Sequence, residues 1–143
     1  MAEEKAKMRL RVATPKKVKF DKDVDMVIVR CITGDWGILP RHVASSAILD
    51  YGVLRIVNGG EERRMAVFGG IAQVKDNVVT VLANDAEWPE DIDRAVAEAE
   101  HEKLKNSLQD DRDELQIQKE QVQMRRTLVQ MEVSAYPLIS RVD

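Results

Sequence analysis

With 143 residues, a formal net charge of −3 and 33% charged against 4% aromatic residues, the chain can bury one respectable core, and its total charge argues against a nucleic-acid-binding protein. One cysteine excludes an internal disulfide, and two histidines give no cluster with metal-site spacing. The amino terminus, Met1-Ala2-Glu3-Glu4-Lys5-Ala6-Lys7, lacks an apolar signal core and no run reaches membrane-span length, so the chain is expected to stay in the compartment where it is made.

The charge is unevenly distributed. Residues 1–86 hold 14 Lys and Arg against 11 Asp and Glu, a net +3, whereas residues 87–143 hold 8 against 14, a net −6. The character changes near Trp88-Pro89, which predicts two units, 1–86 and 87–143.

In the first unit the apolar residues alternate. Met8, Leu10 and Val12 interleave with Arg9, Arg11 and Ala13, and the runs 24–31, 53–57, 65–68, 71–74 and 78–82 are rich in Val and Ile. These predict strands. Their separators are turn residues: Thr14-Pro15, Gly34-Asp35, Tyr51-Gly52, Asn58-Gly59-Gly60, Gly69-Gly70 and Asp76-Asn77. Many short strands with no helical crossover predict a β-sandwich or barrel. Cys31, inside Met26-Val27-Ile28-Val29-Arg30-Cys31, reads as a buried, inert thiol.

The stretch Thr33-Gly34-Asp35-Trp36-Gly37-Ile38-Leu39-Pro40-Arg41-His42 has the composition of a functional loop. Asp35, His42 and Ser45 supply the residue types of a hydrolytic triad, but no Gly-x-Ser-x-Gly elbow accompanies them, and no catalytic residue is expected. A tight turn is the alternative, with Gly34 and Gly37 bending the backbone, Pro40 stiffening it and Asp35-Trp36 left at an exposed tip. Gly59-Gly60 and Gly69-Gly70 lie beside strands rather than opening a helix, so neither forms a phosphate loop, and Arg63-Arg64 reads as a solvated strand edge.

Beyond Pro89 there is no glycine, and Ala, Glu, Gln, Lys and Leu dominate. Pro89 suits a first helical position, with Glu90, Asp91 and Asp93 at the positive end of the helix dipole, which predicts a helix over about 89–107. Asp111 followed by Glu114 resembles a capping box that opens a second helix to about Ala135, stopped by Tyr136-Pro137. Together they predict a helical hairpin. Ile117, Met124, Leu128, Met131 and Ala135 form one apolar stripe of the second helix, while Leu115, Val122 and Val129 repeat every seven residues on another face. Both stripes can pack within the folded chain, or one can hold the hairpin while both serve after the helix inserts elsewhere. An acidic first helix facing Lys119, Arg125 and Arg126 would close the hairpin only weakly.

Thr14-Pro15, the Gly34-to-His42 block, Gly52-Val53-Leu54-Arg55-Ile56, Gly69-Gly70 and Val78-Val79-Thr80-Val81-Leu82-Ala83, followed by an Ala-rich hairpin, resemble the epsilon subunit of rotary, F-type ATP synthases. The likeness spans nearly the whole chain. It implies an N-terminal β-sandwich bound to the gamma subunit and the c-subunit ring, followed by a C-terminal helical pair. The implied role is a non-catalytic rotor subunit of the central stalk that couples the ring to the alpha/beta catalytic head, with helices that restrain ATP hydrolysis. It further implies c-ring contacts at Gly34, Asp35, Trp36 and Gly37, and an inhibitory arm whose Arg125 and Arg126 meet an acidic segment of the beta subunit. The implied location is peripheral, on the cytoplasmic side of a bacterial membrane, held there by the complex. Helices of about 28 and 36 Å laid end to end would reach across much of a neighbouring domain.

Several relatives bind ATP through Ile/Leu-Asp-x-x-Arg-Ala. In this sequence Asp91-x-x-Arg94-Ala95 keeps the acid-to-Arg spacing but has Glu90 at the apolar position, and Ile92-Asp93-Arg94-Ala95 lacks the spacer. No cofactor is therefore expected. Asp91, Arg94 and Ala95 remain the candidates of an alternative reading, an ATP-sensing module that folds around nucleotide.

Overall fold

A computed structural model describes residues 6–107, 113–135 and 139–141, the last three by backbone only. The strands are β1 (Met8–Ala13), β2 (Val18–Val24), β3 (Met26–Cys31), β4 (Gly34–Ile38), β5 (Ser45–Asn58), β6 (Glu61–Lys75), β7 (Val78–Ala83) and β8 (Ala86–Glu87). A 3-10 turn (Pro89–Asp91) then leads to α1 (Arg94–Ser107), α2 (Glu114–Ser134) and a final short strand, β9 (Ile139–Arg141).

The hydrogen-bonded order is β2-β1-β7-β6-β5-β3-β4, with β8 and β9 also pairing β6. All neighbours are antiparallel except β1 and β7. One continuous path becomes a two-layer sandwich because β5 and β6, at 14 and 15 residues, run from one layer into the other. Their inward residues meet in one core that joins Leu10 and Val12 of β1, Val27 and Val29 of β3, Leu54 of β5 and Val79 and Val81 of β7. The alternating burial of β1 is what period-two reading predicts.

Several boundaries differ from those expected. The runs 65–68 and 71–74 belong to one strand, and Gly69-Gly70 is its bend. Gly69 has φ +77° and Gly70 φ +134°, so the glycines kink β6 without ending it. The run 24–31 is divided at Asp25 between β2 and β3, and the expected turn at Gly34-Asp35 is instead the start of β4. The tight connections at Gly59-Gly60 and Asp76-Asn77 have positive φ at both central residues, as two-residue hairpin turns require.

The first helix begins at Arg94, not Pro89, because Ile92 is extended (φ −102°, ψ 127°) and separates the 3-10 turn from α1. Asp93 caps α1 by accepting from the Val96 N–H at 3.2 Å. The cap of α2 is Asp113, which accepts from the Gln116 N–H at 2.8 Å; the expected capping residue Asp111 lies outside the described residues, as do Tyr136 and Pro137. Arg94 reaches the Met131 carbonyl, His101 meets Thr127 and Glu100 meets Gln123, so the two helices run antiparallel. Thr127 donates to the Met124 carbonyl, which leaves its oxygen to accept from His101 Nδ1 at 3.1 Å.

Only the C-terminal half of α2 is buried against the sandwich, in a second apolar cluster separate from the main core. Val129 and Val133 are buried on Ala66 and Phe68 of β6, with Tyr51, Val53 and Ile92 packed around them. Of the seven-residue repeat, Leu115 and Val122 face solvent and only Val129 is buried. The other stripe is divided too: Ile117, Met124 and Met131 are half-buried and Leu128 is exposed.

Candidate functional site

Gly34, Asp35, Trp36 and Gly37 form most of β4, the edge strand of the sheet beside β3. Strand alternation sends Asp35 outward and Ile38 into the core. The register sets Asp35 opposite Arg30, whose Nε donates to Asp35 Oδ1 at 2.5 Å. That hydrogen bond, with the carboxylate charge behind it, raises the Arg30 pKa. The pair is well exposed, which limits its contribution to about 0.2–1 kcal/mol. Trp36 is half-buried against the core, with its ring edge-on to His42 at 5.6 Å between centroids. The exposed tip is therefore Ile32-Thr33, the turn between β3 and β4, rather than Asp35-Trp36. Of the two loop glycines only Gly34 has a positive φ, +121°; Gly37 lies within the strand opposite Ile28.

The triad-like residues do not converge into a relay. Asp35 is taken by Arg30, while His42 Nδ1 (2.8 Å) and Ser45 Oγ (3.2 Å) both donate to the Val43 carbonyl. A serine whose proton points at a backbone carbonyl has no base to activate it. Cys31 is buried, and desolvation pushes its thiol pKa up, assisted by the Asp35 charge. Among the described residues no group of His, Cys, Asp and Glu has the geometry to hold a metal.

Arg125 and Arg126 occupy a contact that charge counting does not reveal. Arg126 Nη2 donates to Asp85 Oδ2 at 2.8 Å and to Glu87 Oε1 at 2.6 Å, and its guanidinium lies 4.0 Å from the centre of the Phe68 ring. Gln130 Nε2 adds a hydrogen bond to Glu87 at 3.1 Å. Burial raises the Asp85 pKa, but the Arg126 hydrogen bond and the Ala86 N–H outweigh it, and the net shift is downward. Arg125 is looser, 3.8 Å from Asp50 and 5.1 Å from the Tyr51 ring. The second helix thus uses its two arginines to grip its own sandwich.

Asp91, Arg94 and Ala95 share no helix face. Asp91 ends the 3-10 turn before the extended Ile92, while Arg94 and Ala95 open α1. The Arg94 guanidinium is engaged by Glu98 Oε1 at 2.8 Å and the Met131 carbonyl at 3.2 Å.

The clearest surface feature is one that the sequence reading missed. Ile48 of β5, Ile71 of β6 and Leu82 of β7 stand directly opposite one another in register, and the Ile32 N–H donates to the Ile48 carbonyl at 3.1 Å. Their relative exposures are 61% for Ile32, 59% for Ile48, 52% for Ile71 and 57% for Leu82. Four large aliphatic side chains from four neighbouring segments form a row on the outer face, where single exposed residues would need no explanation.

A family model described as ATP synthase, Delta/Epsilon chain, beta-sandwich domain matches residues 7–89. The ATP synthase epsilon chain of Prochlorococcus marinus (strain NATL2A) is 42% identical over 107 residues, covering 75% of this chain and 79% of its own length. The chain belongs to the ATP synthase epsilon chain family. A second epsilon chain, from Bacillus subtilis (strain 168), is 38% identical over 127 residues and covers 89% of this chain and 96% of its own length, so the likeness includes the hairpin. The fold also matches a chain in the Euglena gracilis mitochondrial ATP synthase structure (OSCP/F1/c-ring), with a TM-score of 0.81 at 21% identity, covering 94% of this chain and 85% of that one. As an epsilon chain it is a non-catalytic central-stalk subunit of the proton-translocating ATP synthase. Among the described residues no helix is long and apolar enough to cross a membrane. An epsilon chain is held at the membrane peripherally, through its complex.

Proposed function

We propose that residues 1–86 couple the c-ring to the catalytic head by binding the gamma subunit and the ring, and that residues 87–143 restrain ATP hydrolysis when the hairpin leaves the sandwich. The observation that carries the coupling role is the exposed row Ile32, Ile48, Ile71 and Leu82, four adjacent aliphatic side chains of the kind a partner subunit covers. The gamma subunit is its assigned occupant. The ring contact is assigned to Gly34, Asp35, Trp36 and Gly37, supported by their place on an edge strand whose outward carboxylate, though paired with Arg30, stays exposed to solvent. The bacterial relatives favour the cytoplasmic face of a bacterial membrane.

The row is tested by a pull-down. Ile48→Asp together with Ile71→Asp places two charges on the row and should abolish capture of the gamma subunit. Because both side chains are exposed, each change alone should cost about 0.5 kcal/mol or less, and the two carboxylates, being cross-strand partners, should cost a further ~0.2–1 kcal/mol together, which leaves the sandwich folded. Undiminished capture by the folded double variant would remove the assignment.

The inhibitory role rests on Arg125 and Arg126. In the folded hairpin they meet Asp50, Asp85 and Glu87, and an acidic segment of the beta subunit would offer the same chemistry. Two variant sets with opposite expectations separate arm from latch. Arg125→Glu with Arg126→Glu removes the arm and should raise ATPase activity of the assembled enzyme. Asp85→Asn with Glu87→Gln loosens the latch, spares the arm and should lower that activity. Equal activity in both sets, with assembly intact, would refute the arm.

A further inference from the structure

The long strand β6 has two edges, and β5 occupies one of them from Glu61 to Val74. The other edge is covered in sequence by β7 against Gly70 to Lys75, by β8 against Ala66 and Val67, and by β9 against Glu61 to Arg63. The last piece is not part of the sandwich sequence; it comes from the segment that follows α2. Its register sets Ile139 opposite Arg63, Ser140 opposite Glu62 and Arg141 opposite Glu61. Without it, the first residues of β6 would present an open edge of backbone donors and acceptors.

We propose that β9 is a strap that locks α2 against the sandwich, so that the hairpin is released only after β9 peels away from β6. The inference rests on the reading that the hairpin opens. Five Cα steps separate Ser134 from Ile139, a reach of at most about 18 Å even when fully extended. With α1 and α2 laid end to end, the far end of α2 would stand about 50 Å from the start of α1. A paired β9 is incompatible with that arrangement. The strap adds a second grip beside Arg126, Val129 and Val133, on the same half of the same helix. Two grips on one chain act at high effective concentration, so neither releases the helix until both are broken.

Val133 reports the event, since it is fully buried when α2 is docked and uncovered when α2 lifts. In a Cys31→Ala background, Val133→Cys supplies one thiol whose labelling by a maleimide reads the opening. In the full-length chain labelling should be slow, and deletion of residues 136–143 should accelerate it at least tenfold. Ser140→Pro, which puts a residue without an N–H into the ladder, should act the same way and serves if the deletion impairs folding. Labelling within twofold of the full-length rate in a folded variant would overturn the strap. In the assembled enzyme the strapless chain should inhibit ATP hydrolysis more strongly. Faster labelling with unchanged hydrolysis would leave the strap standing and refute the inhibitory reading instead.

Discussion

Arg126 is held by two carboxylates and an aromatic face, and its consequences are local and electrostatic. Asp85, one of the two, has its pKa lowered in the folded chain, so its contribution to docking is complete above its unfolded value of about 3.9 and is lost as pH falls through the lower folded value. The docked population of α2, followed by the methyl resonances of Val133, should therefore be flat from pH 8 to pH 5 and should fall only below about 4. Asp85→Asn should flatten that decline. A midpoint between pH 5 and 7 would show that another group governs docking. The Asp85 side chain is 45% exposed, so solvent screening keeps its contribution modest. At this scale the sequence revealed that Arg125 and Arg126 were a basic pair worth a role. It could not reveal that residues 41 and 39 positions earlier, Asp85 and Glu87, would be their partners.

Among the elements, the bend in β6 is the one on which the sandwich depends. A Cβ placed on Gly70 would lie 2.2 Å from the Leu82 carbonyl oxygen and 2.8 Å from the Ala83 Cα, on a backbone whose φ of +134° already disfavours a side chain. Gly70→Ala should cost about 2–4 kcal/mol and lower the melting temperature by about 10 °C. Thermal unfolding followed by circular dichroism tests this, and a loss below 1 kcal/mol would mean that the strand can bend without the glycine. The pair Gly69-Gly70 is plain in the sequence, but turn chemistry reads the same whether a strand ends or merely kinks. Backbone pairing on both sides decided between them. The helix starts show a similar ambiguity: Pro89 suits a first helical position, yet it opens a 3-10 turn, and the extended Ile92 leaves Asp93 to cap α1.

For the whole molecule, alternating and helical periods were enough to separate a β-rich first part from a helical second part, because each period fixes which side chains share a face. The family blocks around Gly34 and Gly52 carried the rotor reading, and the relatives agree with it. Two things stayed hidden until strands were placed beside one another. One is the row of Ile32, Ile48, Ile71 and Leu82, whose members are scattered over 51 residues and become neighbours only through the register of β5, β6 and β7. The other is β9, a three-residue segment too short to carry a period, whose strand character comes from the open edge of β6 that receives it. The sequence by itself determined composition, period and turn chemistry, hence the two kinds of structure and their order along the chain. Only the tertiary structure decided which distant residues meet, since pairing between strands depends on register and edge availability that no local pattern encodes.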